Sequence, residues 1–125
     1  MPAYTLTIDV RAEPAGATVV VLTGELDYHT AARLHRTFER LPAGLPLVLD
    51  LTGLRFCDSM GIAELIFAAQ RPPHPGTPLP LVAAPPDLKH LLTLTGVDGL
   101  VSHHARLDQA LTALQAARPD PPGEH

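Results

Sequence analysis

Period-two alternation opens the chain. Tyr4, Leu6, Ile8 and Val10 are apolar, with Thr5, Thr7, Asp9 and Arg11 between them, which is the spacing of a strand with one buried face. Glu13-Pro14-Ala15-Gly16 reads as a turn. The run Thr18-Val19-Val20-Val21-Leu22 is continuously apolar and β-branched, as in a central strand, and it pairs with the first strand as a hairpin. Gly24-Glu25-Leu26-Asp27 is read as the break that ends it. Leu34, Phe38 and Leu41 recur at helical spacing, with Asp27 or Thr30 available as the cap and Pro42-Ala43-Gly44 as the stop. Leu47 to Leu51 predicts a third strand, apolar on both sides and parallel to its neighbour.

Periodicity then returns to 3.6. Ile62, Leu65, Ile66 and Ala69 form the buried stripe of a second helix, stopped by Arg71-Pro72-Pro73-His74-Pro75-Gly76. Leu79 to Ala83 predicts a fourth strand, with Pro80 at its start or at a non-bonded position. Pro86-Asp87 opens a third helix carrying Leu88, Leu91 and Leu92, and Gly96 supplies its left-handed C-terminal position. Gly99 to Ser102 forms a short fifth strand, and Leu107, Leu111 and Leu114 define a last helix. The order β-β-α-β-α-β-α-β-α is α/β: an opening hairpin leads into a mostly parallel sheet with helices packed on it. One domain over 1–117 and a disordered, Pro-rich tail over 118–125 are expected.

Composition narrows the function. The chain has 125 residues, suited to one domain, and 46% are apolar, enough for a core. Net charge is -4, with no run of Lys or Arg and no Trp. That disfavours nucleic acid, which needs a basic footprint or stacking platforms. The single cysteine, Cys57, permits no internal disulfide, and a reducing, cytoplasmic setting is expected. No charged, apolar leader and no run approaching the ~20 residues of a membrane span is seen.

The stretch Leu54-Arg55-Phe56-Cys57-Asp58-Ser59-Met60-Gly61 carries the candidate chemistry. Asp58 or Ser59 could simply cap the following helix. A hydrolase elbow would read G-x-S-x-G, but Cys57 stands where the first glycine belongs. His90, His103 and His104 lie downstream, with nothing tying one of them to Ser59 as a triad requires. A phospho-accepting Asp50 would need an acidic pair and a late lysine. The chain offers a lone Asp9 and a helical Lys89, so Asp50 is read as a strand-end polar residue. The seven histidines (His29, His35, His74, His90, His103, His104 and His125) show no zinc spacing and are read as surface residues, and no glycine-rich phosphate loop occurs.

The run VLDLTGLRFCDSMGIAEL resembles the signature of STAS domains, the anti-sigma factor antagonists of bacteria: an apolar strand, a short link, then Asp-Ser-x-Gly opening a helix. VVVLTGELD, LPLVAAPPDLKHLLTLTGVDGLV and HHARLDQALTAL are similar to three further blocks of that family, so the likeness runs from about Tyr4 to Ala117. It implies the STAS fold: a mixed, mostly parallel sheet of four to five strands with an N-terminal β-hairpin and about four helices.

The resemblance implies a switch and not an enzyme. Ser59 would be phosphorylated by an anti-sigma factor that is itself a serine kinase, and a PP2C-type phosphatase would remove the phosphate. The unphosphorylated chain would bind the anti-sigma factor and free the sigma factor. ATP would belong to the kinase and metal to the phosphatase, so the chain would need no cofactor. Asp27, Asp58, Ser59, Met60, Gly61 and Ile62 would form the partner surface, with Gly61 keeping it uncrowded. Gly61-Ile62-Ala63 departs from the Gly-Leu-Gly of many relatives. The alternative is a STAS scaffold or sensor module that binds a small ligand or another regulatory protein without phospho-switching.

Overall fold

The computed structural model describes residues 5–42, 44–71 and 77–117. Strand β1 (Leu6–Ala12) pairs antiparallel with β2 (Thr18–Leu26). Then follow α1 (Ala31–Arg40), β3 (Leu47–Cys57), α2 (Ser59–Ala69), β4 (Leu79–Val82), α3 (Pro86–Leu94), a 3-10 turn (Asp98–Leu100), β5 (Val101–His104) and α4 (Leu107–Ala117). The five strands lie in the order β1-β2-β3-β4-β5, with β2 to β5 mutually parallel.

This topology decides where each helix packs. Each crossover from β2 to β5 steps to the next strand in the same direction, and right-handed connections then put α1, α2 and α3 on one face. Helix α4 follows the last strand and covers the other face. Strand side chains sort accordingly. Val20, Leu22, Leu47, Leu49, Leu51, Leu79 and Leu81 join Leu34, Phe38, Leu65, Leu88 and Leu92 in the larger core. Val19, Val48 and Val82 meet Ala110 and Leu114 of α4 in the smaller one. Leucine fills the deep three-helix side, and compact valine lets one helix lie close. A fully buried side chain of this size contributes about 1.5–3 kcal/mol, so the Leu-rich face dominates stability.

Several boundaries differ from the sequence expectation. Strand β2 does not break at Gly24 but continues to Leu26. Gly24 has φ +108, and a Cβ there would run into the Thr5 carbonyl oxygen. Glycine therefore kinks the strand instead of ending it. Strand β3 likewise runs past Leu51 to Cys57. Its register with β2 slips twice, between Val21 and Thr23 and between Gly24 and Glu25. Each slip inserts one extra residue on β3, which is how eleven residues of β3 match nine of β2. Asp50 sits at the first slip, inside the strand and not at its end, and its carboxylate accepts hydrogen bonds from the Thr52 N–H (3.0 Å) and hydroxyl (2.6 Å).

The alternation in β1 is only partly used. Leu6 is buried and Ile8 is half-buried, but Val10 is 46% exposed. β1 is an edge strand, paired with β2 alone among the described strands. Tyr4, Ala43, the 72–76 segment and the 118–125 tail lie outside the described residues. Helix α3 ends as expected: Gly96 has φ +78, the Val97 N–H donates to the Leu92 carbonyl and the Gly96 N–H to that of Thr93. This is the paired closure of a Schellman turn. The fifth strand begins at Val101, because Asp98 to Leu100 are wound into the 3-10 turn.

Gly24→Ala is expected to destabilise the domain by about 1–3 kcal/mol, from backbone strain plus the clash with Thr5. A drop in urea midpoint with unchanged slope checks this.

Candidate functional site

Leu26 and Cys57 are the last paired residues of β2 and β3, and the Asp58 N–H donates to the Leu26 carbonyl (3.1 Å). Two aspartates follow these strand ends directly, Asp27 after β2 and Asp58 after β3. Each turns its carboxylate onto the backbone. Asp27 Oδ1 accepts from the His29 N–H (2.9 Å) and the Thr30 N–H (3.2 Å). Asp58 Oδ1 accepts from the Met60 N–H (2.9 Å) and the Gly61 N–H (3.1 Å), and Oδ2 accepts from the Tyr28 N–H (3.1 Å). Asp58 thus caps α2 and also ties the β2–α1 loop to it.

This settles which of the pair is the cap. Asp58 is in extended backbone, as a cap residue must be, and Ser59 is already the first helical residue. Ser59 is exposed, and among the described residues its hydroxyl makes no hydrogen bond. The serine is therefore not consumed by the fold. In α1 the expectation that Asp27 or Thr30 caps resolves differently. Thr30 precedes the helix without a side-chain cap bond; its hydroxyl instead donates to the Glu25 carbonyl (2.9 Å) and accepts from the Asp27 N–H (3.0 Å).

Gly61 has a role opposite to the one expected. It is buried, and a Cβ there would sit 2.6 Å from Cys57 Sγ and 2.7 Å from Leu26 Cγ. The glycine lets the first turn of α2 press onto the ends of β2 and β3, so it serves close packing and not an open approach. Ile62 is 6% exposed and belongs to the larger core. Asp27 is 9% exposed. Of the six residues expected at a partner surface, Ser59 and Met60 are open to solvent, Asp58 is half-buried, and Asp27, Gly61 and Ile62 shape the turn from within.

Tyr28 (68% exposed) and Phe56 (51% exposed) belong to the same edge and were not anticipated. The Tyr28 backbone is bonded to Asp58, and Phe56 lies three residues before Ser59. Large exposed apolar groups suit a protein contact, and Phe56 lines a hollow with Cys57, Pro85 and Leu88. Their signal was hidden because Phe56 exposure depends on the second register slip, which leaves Arg55 and Phe56 both outward-facing. Arg55 Nε lies 3.5 Å from Glu25 Oε1, partnering a carboxylate that is otherwise buried.

Cys57, adjoining the site, is not a reactive thiol. Burial, and secondarily the Asp58 charge, push its pKa from 9.0 up to about 12. The histidines are less superficial than expected. His35 of α1 lies 2.8 Å from Glu64 of α2 and stacks on Phe67 at 4.3 Å. His103 lies 3.2 Å from Asp98. His74 and His125 are outside the described residues, and among the described residues no group of three potential ligands could hold a metal. No helix among them is long and apolar enough to cross a membrane.

The fold and this edge define a small mixed α/β domain with an unengaged serine where a strand passes into a helix. The chain belongs to the STAS domain family: residues 10–102 match the family described as Mlab, STAS domain. Its fold is similar to that of an anti-sigma factor antagonist from Mycobacterium paratuberculosis, with 30% identity and a TM-score of 0.73 over 89% of this chain and 95% of that one. The Bacillus cell fate determinant SpoIIAA in its phosphorylated form shares the fold at 16% identity and a TM-score of 0.62, over 86% and 99%. So does a sulfate transporter family protein from Wolinella succinogenes, at 18% identity and a TM-score of 0.69, over 85% and 90%. No curated protein matches the chain.

Asp58→Ala is expected to cost about 1–2 kcal/mol, the usual loss for a helix cap, whereas Ser59→Ala stays within about 0.5 kcal/mol, as for an exposed site. Urea unfolding of the two variants checks the assignment. Cys57 should resist alkylation by iodoacetamide at pH 8 in the folded protein and react once urea unfolds it. Because the folded thiol holds its proton more tightly, its contribution to stability is complete below pH 9 and is lost as pH rises from about 9 toward 12.

Proposed function

We propose that this chain is a phospho-switched anti-sigma factor antagonist. In its unmodified form it binds an anti-sigma factor that is a serine kinase, and so frees the sigma factor. Phosphorylation of Ser59 ends that binding, and a PP2C-type phosphatase restores it. The chain acts by binding and carries out no catalysis of its own. The observation that carries this reading is the Ser59 hydroxyl, exposed and without an internal partner while Asp58 does the capping. The similarity to the mycobacterial anti-sigma factor antagonist supports it.

A phosphate at this position would be compatible with the fold. The first turn of a helix presents backbone N–H groups and partial positive charge, which favours an anion. Asp58 keeps its own three N–H donors, so the cap need not be surrendered. The effect falls on the partner instead. Phosphate adds about -1.5 to -2 charges. A single like-charge contact at ~5 Å with effective ε of ~20 costs roughly 3 kcal/mol. Loss of one hydroxyl hydrogen bond costs about 1 kcal/mol. Repulsion and bulk therefore outweigh the lost bond, and roughly 3 kcal/mol exceeds a hundredfold in affinity. Tyr28, Ser59 and Met60 supply the exposed contact, with Asp27, Asp58, Gly61 and Ile62 holding its shape.

Incubated with its cognate anti-sigma kinase and ATP, the chain should gain one phosphate by intact mass, and Ser59→Ala should gain none. Ser59→Asp should bind the kinase at least tenfold more weakly by calorimetry. Unchanged binding by Ser59→Asp would instead favour a scaffold or sensor role for the same fold.

A further inference from the structure

Strand β1 forms one edge of the sheet. In an antiparallel ladder, alternate residues turn both backbone groups toward the neighbouring strand, and the others turn them outward. The Glu25 N–H donates to the Thr5 carbonyl (3.0 Å), one step beyond the Leu6–Gly24 pair. Thr5, Thr7, Asp9 and Arg11 are therefore the inward residues, and Leu6, Ile8, Val10 and Ala12 the outward ones. The Leu6 carbonyl agrees with this phase, since it accepts from Arg33 Nη1 of α1 (2.9 Å). The outward N–H and C=O groups of Ile8, Val10 and Ala12 meet no partner among the described residues.

An edge in this state accepts another strand unless something blunts it. Here the open length is bounded on both sides. Arg33 closes the start at Leu6, and the turn after Ala12, held by the Gly16 N–H on the Glu13 carbonyl (2.9 Å), closes the end. What remains is Ile8 to Ala12, with Val10 at its centre. Val10 is 46% exposed, on the face where Leu6 and Ile8 join the larger core. Asp9 and Arg11 stand on the other face, both exposed, and bridge each other at 2.8 Å.

These charges select the occupant. A second copy of β1 laid antiparallel is related to the first by a two-fold axis. Centred on Asp9 or on Arg11, it would set like charges directly opposite, which is destabilising. Centred on Ile8, it would need the Leu6 carbonyl that Arg33 already holds. Centred on Ala12, it would run Val10 against Pro14, which has no N–H to give. Centred on Val10, it sets Asp9 of each copy opposite Arg11 of the other, and every outward group of Ile8, Val10 and Ala12 finds a partner. We propose that two copies of this chain join in this register, edge to edge through β1, to form one continuous sheet. Leu6 lies level with Gly24, near the Ser59 end of the sheet, and Ala12 with Thr18 at the other end. Antiparallel pairing therefore sends the two Ser59 edges to opposite ends of the joined sheet, where both stay open. The dimer does not depend on the phospho-switch.

Sedimentation equilibrium of the full chain tests this. One strand pair buries less than a standard interface, so a reversible dimer with a dissociation constant on the order of 100 μM is expected. Asp9→Arg and Arg11→Asp, both at exposed positions, should each weaken self-association about tenfold or more. An equimolar mixture of the two variants should recover it, because each copy then meets the opposite sign at both positions. Val10→Pro should abolish the dimer while sparing the β1–β2 ladder, since the Val10 N–H points outward. Circular dichroism checks that this variant folds, and if it does not, the charge exchange alone decides. A monomer at millimolar concentration, a dimer indifferent to the single charge reversals, or a mixture that stays monomeric would overturn the proposal. A ladder of larger species would also overturn it, by pointing to head-to-tail pairing of β1 with β5 of the next copy.

Discussion

The parallel pairing of β2 with β3 is the constraint from which the rest of this protein follows. It places the two strand ends side by side, so that Asp27 and Asp58 leave the sheet as neighbours. Two extra residues in β3 absorb its greater length and let both strands finish together. Without those slips, Asp58 would not meet the Tyr28 N–H, and the β2–α1 loop and the start of α2 would be independent. A single carboxylate now binds three backbone donors from two segments. That engagement leaves the adjacent hydroxyl unengaged.

Rigidity and availability are divided between neighbouring residues. Gly61 draws α2 onto Leu26 and Cys57 at a distance no side chain would allow, and Ile62 anchors the same turn in the core. Ser59 and Met60 stand outward on this fixed base. A group added to Ser59 therefore meets solvent or a partner, not the interior. Tyr28 and Phe56 give the same edge an apolar component that desolvates well on contact. The geometry suits a surface whose affinity is set by charge at one atom while its shape stays constant.

Much of the architecture was legible in the chain. Element types follow from period, and the opening hairpin and mostly parallel sheet follow from the succession of those elements, whereas the order of the strands in the sheet was set by the tertiary structure. The Asp-Ser-x-Gly tetrapeptide marked the passage from β3 into α2. The individual roles within it were less accessible. Asp58 and Ser59 are equivalent as candidate caps in sequence, and only backbone conformation separates them. Gly61 looked like open space because a glycine in sequence carries no record of what fills the volume beside it. Gly24 looked like a terminator because a glycine that kinks a strand and one that ends it read alike.

The sequence by itself determined the class of fold, the position of each helix and most strands, and the Ser59 region as the place of interest, because hydrophobic period and local turn chemistry are properties of adjacent residues. Tertiary structure alone decided how far β2 and β3 extend, which aspartate caps and why Gly61 is needed. Those outcomes depend on register and packing between segments far apart in the chain, and such contacts leave no periodic trace in either segment.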